Sequence, residues 1–170
     1  MALREEFAIA PAQIENVEVI FPRFDYIDRS QPGSGLDGKF SVQYTTAIAL
    51  LDGEITIDSF TNERRFAADV VALLPAVTLR FDDAIPLDFD QMHAIVKVGL
   101  IGGRQVTKRI DRLSGWVGFP LTREQRLKKF FSCARRILEE QPARRLLELV
   151  ERLETLPDVA EIMNIARGVR

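Results

Sequence analysis

The stretch GLDGKFSVQYTTAIALLDG, residues 35–53, decides the fold because it predicts one largely buried helix. Its apolar side chains recur at the 3.6-residue period of a single helical face: Phe40, Tyr44, Ala47, Ile48 and Leu51. A strand over residues 45–51 is the alternative, since Thr and Ile favour sheets, but the run does not alternate and is longer than most strands. Gly53 then ends the helix, because glycine adopts the left-handed conformation that a helix terminus requires.

The same helix carries many polar side chains for so apolar a segment, which marks it as a candidate site. Lys39 supplies positive charge and Tyr44 a phenolic proton, while Ser41 and Gln43 are weaker candidates for substrate binding. Tyr44 and Lys39 each also have a purely structural interpretation. A buried tyrosine often uses its hydroxyl for a single hydrogen bond within the core, and a lysine at a helix start is usually solvated.

Four segments are predicted to form strands. Residues Ile14–Phe21 alternate between apolar and polar side chains, as expected of a half-buried strand, and Val77–Phe81 does the same. Residues Ala94–Ile101 and Gln105–Ile110 flank the pair Gly102-Gly103, which predicts a hairpin.

The remaining segments predict helices. Glu63–Leu74 is expected to form one helix with a buried face of Phe66, Val70, Leu73 and Leu74. Thr122 and Gln125 form a capping box at the start of a further helix. The apolar stripe of that helix is Leu127, Phe130, Phe131, Ala134, Ile137 and Leu138, and Cys133 is expected to be a small buried residue within it.

Two more helices follow this one near the C-terminus. Pro142 is placed at the first position of a helix with the stripe Leu146, Leu149, Val150 and Leu153, and a third helix starts at Pro157-Asp158. The order of elements predicts an α+β fold: a mixed sheet of about four strands with helices on one face, followed by a C-terminal helical segment. The predicted domains are residues 1–121 and residues 122–170.

Composition narrows the classes of function. The charges of the 23 basic and 25 acidic residues nearly cancel, so the chain has no strong positive field that would attract nucleic acid or an acidic membrane. One cysteine, no long apolar run and no signal-peptide pattern indicate a cytoplasmic protein. The glycine cluster at residues 32–35 lacks the Gly-Lys-Ser/Thr ending of a phosphate loop, so no cofactor is predicted.

No metal site is predicted either. The acidic loop Asp82–Gln91 lacks the ligand spacing of a calcium loop, which favours a solvated loop. The single histidine, His93, has no partner in sequence with which to act as an acid or base, so we expect a surface position. The loop Asp111–Pro120 carries the only tryptophan, and its glycines fit either a close approach to a ligand or an ordinary turn.

Four motifs resemble one known family in order and approximate spacing. They are KFSVQYTTAIALLDG (residues 39–53), FTNE (60–63), GFPLT (118–122) and KFFSCA (129–134). This set, covering about residues 14–165, is similar to the C-terminal part of the MmgE/PrpD family, which includes 2-methylcitrate dehydratases and cis-aconitate decarboxylases. The resemblance implies that residues 1–121 form an α/β lid-like domain and that residues 122–170 return to the family's helical domain.

The resemblance also implies a lyase that acts on a tricarboxylate, most closely a 2-methylcitrate dehydratase. A tyrosine matching Tyr44 belongs to the active site of the decarboxylase branch, so Tyr44 is the candidate catalytic residue and Lys39, Ser41 and Gln43 are candidates for substrate binding. The family's other catalytic residues precede the matching segment. We therefore expect the chain to be inactive without an N-terminal helical half.

Three hypotheses about the chain remain open. The first is that the chain is a fragment of such an enzyme, and the second is that it is one subunit of a split enzyme. The third is that it is a non-catalytic ligand-binding or interaction subunit on the same scaffold. Its expected partners are a small tricarboxylate and either a second copy, forming a homodimer, or the N-terminal helical half. Apolar stripes on the last three helices would otherwise remain in water, which favours association.

Overall fold

The computed structural model describes residues 2–88, 90–112, 114–116 and 118–167. Parts of the predicted loops Asp82–Gln91 and Asp111–Pro120, and the last three residues of the predicted 122–170 segment, lie outside this description. The chain divides into two compact units, residues 1–119 and residues 120–170. None of the described helices combines the length and the apolar character needed to cross a bilayer.

The described part of the first unit contains four α-helices and four strands. In chain order these are α1 (Ala2–Glu6), β1 (Ile14–Phe21), α2 (Val42–Asp52), α3 (Asn62–Arg65), α4 (Ala68–Leu73), β2 (Val77–Phe81), β3 (Ala94–Leu100) and β4 (Gln105–Ile110). The strands form one sheet in the order β2-β1-β3-β4. The β1–β2 pair is parallel, whereas β1–β3 and β3–β4 are antiparallel. The predicted α+β fold with a mixed four-stranded sheet is therefore confirmed.

One face of the sheet is apolar because its strands alternate in register. Val77, Val17, Val98 and Val106 are paired neighbours across all four strands, and each is at most 5% exposed. On the opposite face Glu18 accepts a 2.8 Å hydrogen bond from Nζ of Lys97. That bond is the main reason why the pKa of Glu18 lies below its usual value. The sheet thus directs one face to the core, whereas the other carries the Glu18–Lys97 ion pair.

Helix α2 lies at the centre of the first unit. Tyr44, Ala47 and Ile48 are fully buried, in a cluster that also contains Val17 and Val98 of the sheet. Ser41 caps the start of the helix. Gly53 ends it with φ of 79°, as the sequence predicts. The predicted buried position of Phe40 is wrong, since its side chain is 50% exposed. Its place at the end of a 3₁₀ turn, Asp37–Phe40, puts it outside the helical repeat that begins at Val42.

The single helix predicted over Glu63–Leu74 is two short helices, α3 and α4. The break occurs at Phe66 and Ala67, where Ala67 adopts an extended backbone with ψ of 144°. Phe66 is 54% exposed, so its predicted place on the buried face is wrong, whereas Val70, Leu73 and Leu74 are buried as predicted. The break separates the polar segment NERR from the apolar segment ADVVAL, and only the second packs into the core.

The second unit consists of α5 (Arg123–Ala134), α6 (Glu140–Glu151) and α7 (Ala160–Ala166). Thr122 and Gln125 form the predicted capping box, with Oε1 of Gln125 accepting a 2.9 Å hydrogen bond from the Thr122 amide. Pro142 is the third helical residue rather than the first, because the extended residue Glu139 precedes the start of α6 at Glu140.

The apolar stripes of the second unit are less buried than predicted. Helix α5 has no buried residue, and Ile137, which follows the end of the helix, is 70% exposed. Cys133 is exposed rather than buried. Leu138, Ala143 and Leu149 are the buried apolar residues of this unit within the described part of the chain. The three short helices described in this unit leave much of their apolar surface uncovered, because so small a unit encloses little volume.

Candidate functional site

The candidate residues meet at the start of α2, where Ser41 ties the helix to the preceding loop. Its Oγ accepts a 2.9 Å hydrogen bond from the Tyr44 amide, as an N-cap serine does. The same hydroxyl donates to the Arg29 carbonyl oxygen at 2.6 Å. Ser41 is 1% exposed and both of its hydrogen bonds are internal, so it fixes the loop to the helix.

Tyr44 lies beneath this cap with no exposed surface. Its hydroxyl donates a hydrogen bond to the Ser59 carbonyl oxygen. Its ring packs against Gly38, where a Cβ would overlap the ring, and lies 6.3 Å from the ring of Phe60 between centroids. Burial raises the pKa of the phenol, so at neutral pH Tyr44 keeps its proton and acts as a hydrogen-bond donor.

Gln43 extends the polar network on the other side of the helix start. Its Nε2 donates to Oδ1 of Asp28 at 2.6 Å. Its Oε1 is buried and has no hydrogen-bond partner among the described residues. Buried acceptors normally have a partner, so this oxygen is available to a water or to a ligand donor.

Lys39 stands apart from these buried groups. It is exposed, and its Nζ lies 5.5 Å from the centroid of the Phe60 ring, in the geometry of a cation–π contact. Because Tyr44 contacts the same ring, Phe60 joins the surface cation to the buried phenol. The structure thus brings Ser41, Gln43 and Tyr44 into one buried region and leaves Lys39 at the surface.

A small open pocket of about 300 Å³ adjoins the same loop. It is lined by Arg29, Ser34, Leu36, Asp37 and Phe40. Arg29 forms an ion pair with Asp37 and also lies over the Phe40 ring, with 5.4 Å between Cζ and the ring centroid. The exposed Phe40 therefore forms part of a pocket wall rather than part of the core.

Sequence reasoning missed three groups that hold these candidates. Ser59 acts through its main-chain oxygen, as does Arg29 towards Ser41, and the identity of a side chain gives no signal for such a role. Asp28 could have been found, since a carboxylate in the polar connector before the motif is a natural partner for an amide. No group of three or more His, Cys, Asp or Glu residues able to hold a metal occurs in the described ranges.

The second unit has a separate apolar groove of about 520 Å³. Its lining comes from all three helices and the residues that flank them: Leu121, Arg126, Lys129, Phe130, Cys133, Ala134, Ile137, Leu138, Leu146 and Ala166. The predicted stripe residues Phe130, Ala134 and Leu146 therefore line an open surface rather than a closed core.

Comparison with known proteins identifies the class to which this fold and motif set belong. The sequence pattern of the MmgE/PrpD C-terminal domain matches residues 1–155. The chain belongs to the MmgE/PrpD family.

Two similar proteins share one name. The chain is 31% identical over 164 residues to a cis-aconitate decarboxylase of Mus musculus, and 30% identical over 165 residues to one of Homo sapiens. Each match covers 96% of this chain but 34% of the relative. The chain thus spans about a third of the length of the curated relatives it matches.

Proposed function

We propose that this chain is the C-terminal portion of a lyase that acts on a tricarboxylate and requires an N-terminal helical half for activity. The observation that carries the proposal is the match to two cis-aconitate decarboxylases over 96% of the chain. The motif resemblance suggests 2-methylcitrate dehydration as the alternative reaction. Both substrates present several carboxylates, which an exposed cation such as Lys39 can attract.

Tyr44 supplies the chemical rationale within this chain. A buried phenol that keeps its proton at neutral pH can donate a hydrogen bond or a proton to a substrate. In the structure the Tyr44 hydroxyl donates its hydrogen bond to the Ser59 carbonyl oxygen, so donation to a substrate requires Tyr44 to exchange this acceptor for a substrate atom. The proposed catalytic role therefore includes a rearrangement around the start of α2.

The first experiment compares two forms of the protein. The isolated chain is expected to turn over neither cis-aconitate nor 2-methylcitrate, because general acid–base groups contribute about two to four decades in rate. The chain joined to the N-terminal part of a family member should turn over one of the two. Turnover by the isolated chain at the rate of the joined protein would contradict the proposal, as would a folded, joined protein inactive on both substrates.

The second experiment tests Tyr44 within the joined protein. Tyr44→Phe should lower the rate at least tenfold while changing the free energy of unfolding by about 1 kcal/mol, the scale of one hydrogen bond. The chain's other tyrosine, Tyr26, is 64% exposed, so Tyr26→Phe is a matched control that should change neither quantity. Unchanged kinetics in Tyr44→Phe would assign the hydroxyl a purely structural role.

A further inference from the structure

The motif FTNE, residues 60–63, has no role in the function proposed above, yet its segment contacts the candidate site at several points. Residues 59–65 are called the clamp segment here. At its start, the Ser59 carbonyl oxygen accepts the hydrogen bond from the Tyr44 hydroxyl. At its end, Arg65 reaches the loop of residues 31–35, which precedes the site motif. One short segment therefore touches both the buried phenol and the loop in front of it.

The loop is held by two side chains of the clamp segment. Oδ1 of Asn62 accepts a 2.9 Å hydrogen bond from the Gly35 amide. Nε of Arg65 donates to the Pro32 carbonyl oxygen at 2.8 Å. Gly35 packs so closely that a Cβ would overlap the carbonyl groups of Phe60 and Thr61. Side chains and backbone together seat the loop directly on the clamp segment.

Arg65 holds the loop at a cost in folding stability. It is 5% exposed, and within the described part of the chain its acceptors are neutral: the Pro32 carbonyl and, at 3.4 Å, Oε1 of Gln31. The adjacent Arg64 instead pairs with two carboxylates, Asp52 and Asp69. Burying a charge without a carboxylate costs more stability than burying an apolar side chain. Stability alone does not account for Arg65, whereas fixing the position of the loop does.

The position of the loop matters because its continuation forms the surface beneath Tyr44. Three residues after Gly35, Gly38 lies against the ring of Tyr44 with no room for a Cβ. A shift of the loop would therefore move the contact that sets the ring. We propose that Asn62 and Arg65 are positioning residues: they hold residues 31–38 on the clamp segment and thereby fix the phenol of Tyr44. The kinetic part of this inference rests on the proposed lyase function.

Amide hydrogen exchange of Gly35 in the isolated chain tests the clamp without any activity. Asn62→Ala removes the acceptor and should accelerate exchange of this amide about tenfold, the effect of losing one hydrogen bond. Asn62→Asp retains an acceptor oxygen and should keep exchange near the wild-type rate. Glu63→Ala changes an exposed neighbour and is the matched control. Equal exchange rates of the Gly35 amide in the Asn62→Ala and wild-type proteins would overturn the proposal that Asn62 holds the loop.

Kinetics of the joined protein test the positioning of Tyr44. Asn62→Ala should lower kcat at least threefold, and Asn62→Asp should restore it, because only the acceptor is needed. An Asn62→Asp variant as slow as Asn62→Ala, despite normal Gly35 exchange, would overturn the positioning role. A wild-type protein without turnover would overturn the proposed lyase function instead, and the exchange experiment would still decide whether the clamp exists.

Discussion

The two units, residues 1–119 and residues 120–170, differ in how far their apolar side chains are buried. Among the described residues of the first unit, fifteen buried apolar residues form one cluster, and Tyr44, Ala47 and Ile48 have no exposed surface. In the second unit, α5 has no buried residue, and Val150, Leu153 and Met163 are about half exposed. Both units contain helices with regular apolar periodicity. Periodicity therefore predicts that a helix forms, whereas the cover available in the fold determines whether its stripe is buried.

The largest expected effect comes from the same substitution made once in each unit. Ile48→Ala removes a fully buried side chain and should lower the free energy of unfolding by about 3 kcal/mol, because it leaves a cavity. At protein concentrations where the chain is monomeric, Ile137→Ala removes a side chain that is 70% exposed and should change that free energy by less than about 0.5 kcal/mol. Chemical denaturation measures both values. Similar losses at those concentrations would mean that Ile137 is covered within the monomer.

Self-association gives the next largest effect. We expect the isolated chain to form a homodimer through the exposed stripes of the second unit, because each large apolar side chain left in water forfeits about 1.5–3 kcal/mol. Ile137→Glu should weaken association at least tenfold in light scattering. Ile101→Glu is the matched control, since Ile101 is 68% exposed but belongs to the first unit. A wild-type monomer at tens of micromolar would contradict the dimer.

Ion pairs give the smallest expected effect. A hydrogen bond from Arg64 holds the pKa of Asp69 below its usual value, so the pair stabilises the fold above about pH 4, and the benefit is lost as the pH falls through the folded-state pKa. Asp69→Asn should cost less than about 1 kcal/mol at neutral pH, since the carboxylate is half exposed. In Asp69→Asn the free energy of unfolding should also fall less steeply as the pH is lowered. Urea unfolding at several pH values measures this slope.

The second unit offers the counterpart. Arg145 lowers the pKa of Glu161 by a similar hydrogen bond, but the Arg145 side chain is 46% exposed, whereas that of Arg64 is 19% exposed. In Glu161→Gln the free energy of unfolding should therefore fall with decreasing pH about as it does in the wild type. A larger change in Glu161→Gln than in Asp69→Asn would mean that the second unit is the more acid-sensitive part of the chain.

Much of the fold could be predicted from the sequence because its strands alternate and because the buried residues Tyr44, Ala47 and Ile48 of α2 stand at helical spacing. Strands β1 and β2 begin and end at the predicted residues, and the hairpin turn at Gly102-Gly103 is where glycines with φ of 93° and 83° are required. The break between α3 and α4 could not be predicted, since Phe66 fits the helical period and its exposure depends on tertiary packing.

The candidate site was less accessible to sequence reasoning. Tyr44 and Ser41 are buried in the structure, and their catalytic and binding roles remain predictions. The partners that hold them could not be inferred, because two of the contacts are to main-chain oxygens, those of Ser59 and Arg29. Such contacts depend on where the loops run, and the residue types at those positions carry no information about it.

The exposed Cys133 has a practical consequence for measuring these properties. It is the chain's only cysteine, and it lines the groove of the second unit. A maleimide fluorophore would therefore attach at one defined point, with no need to remove other thiols first. Its emission would respond to the polarity of the groove, so a single labelled preparation could report by titration when that surface becomes covered.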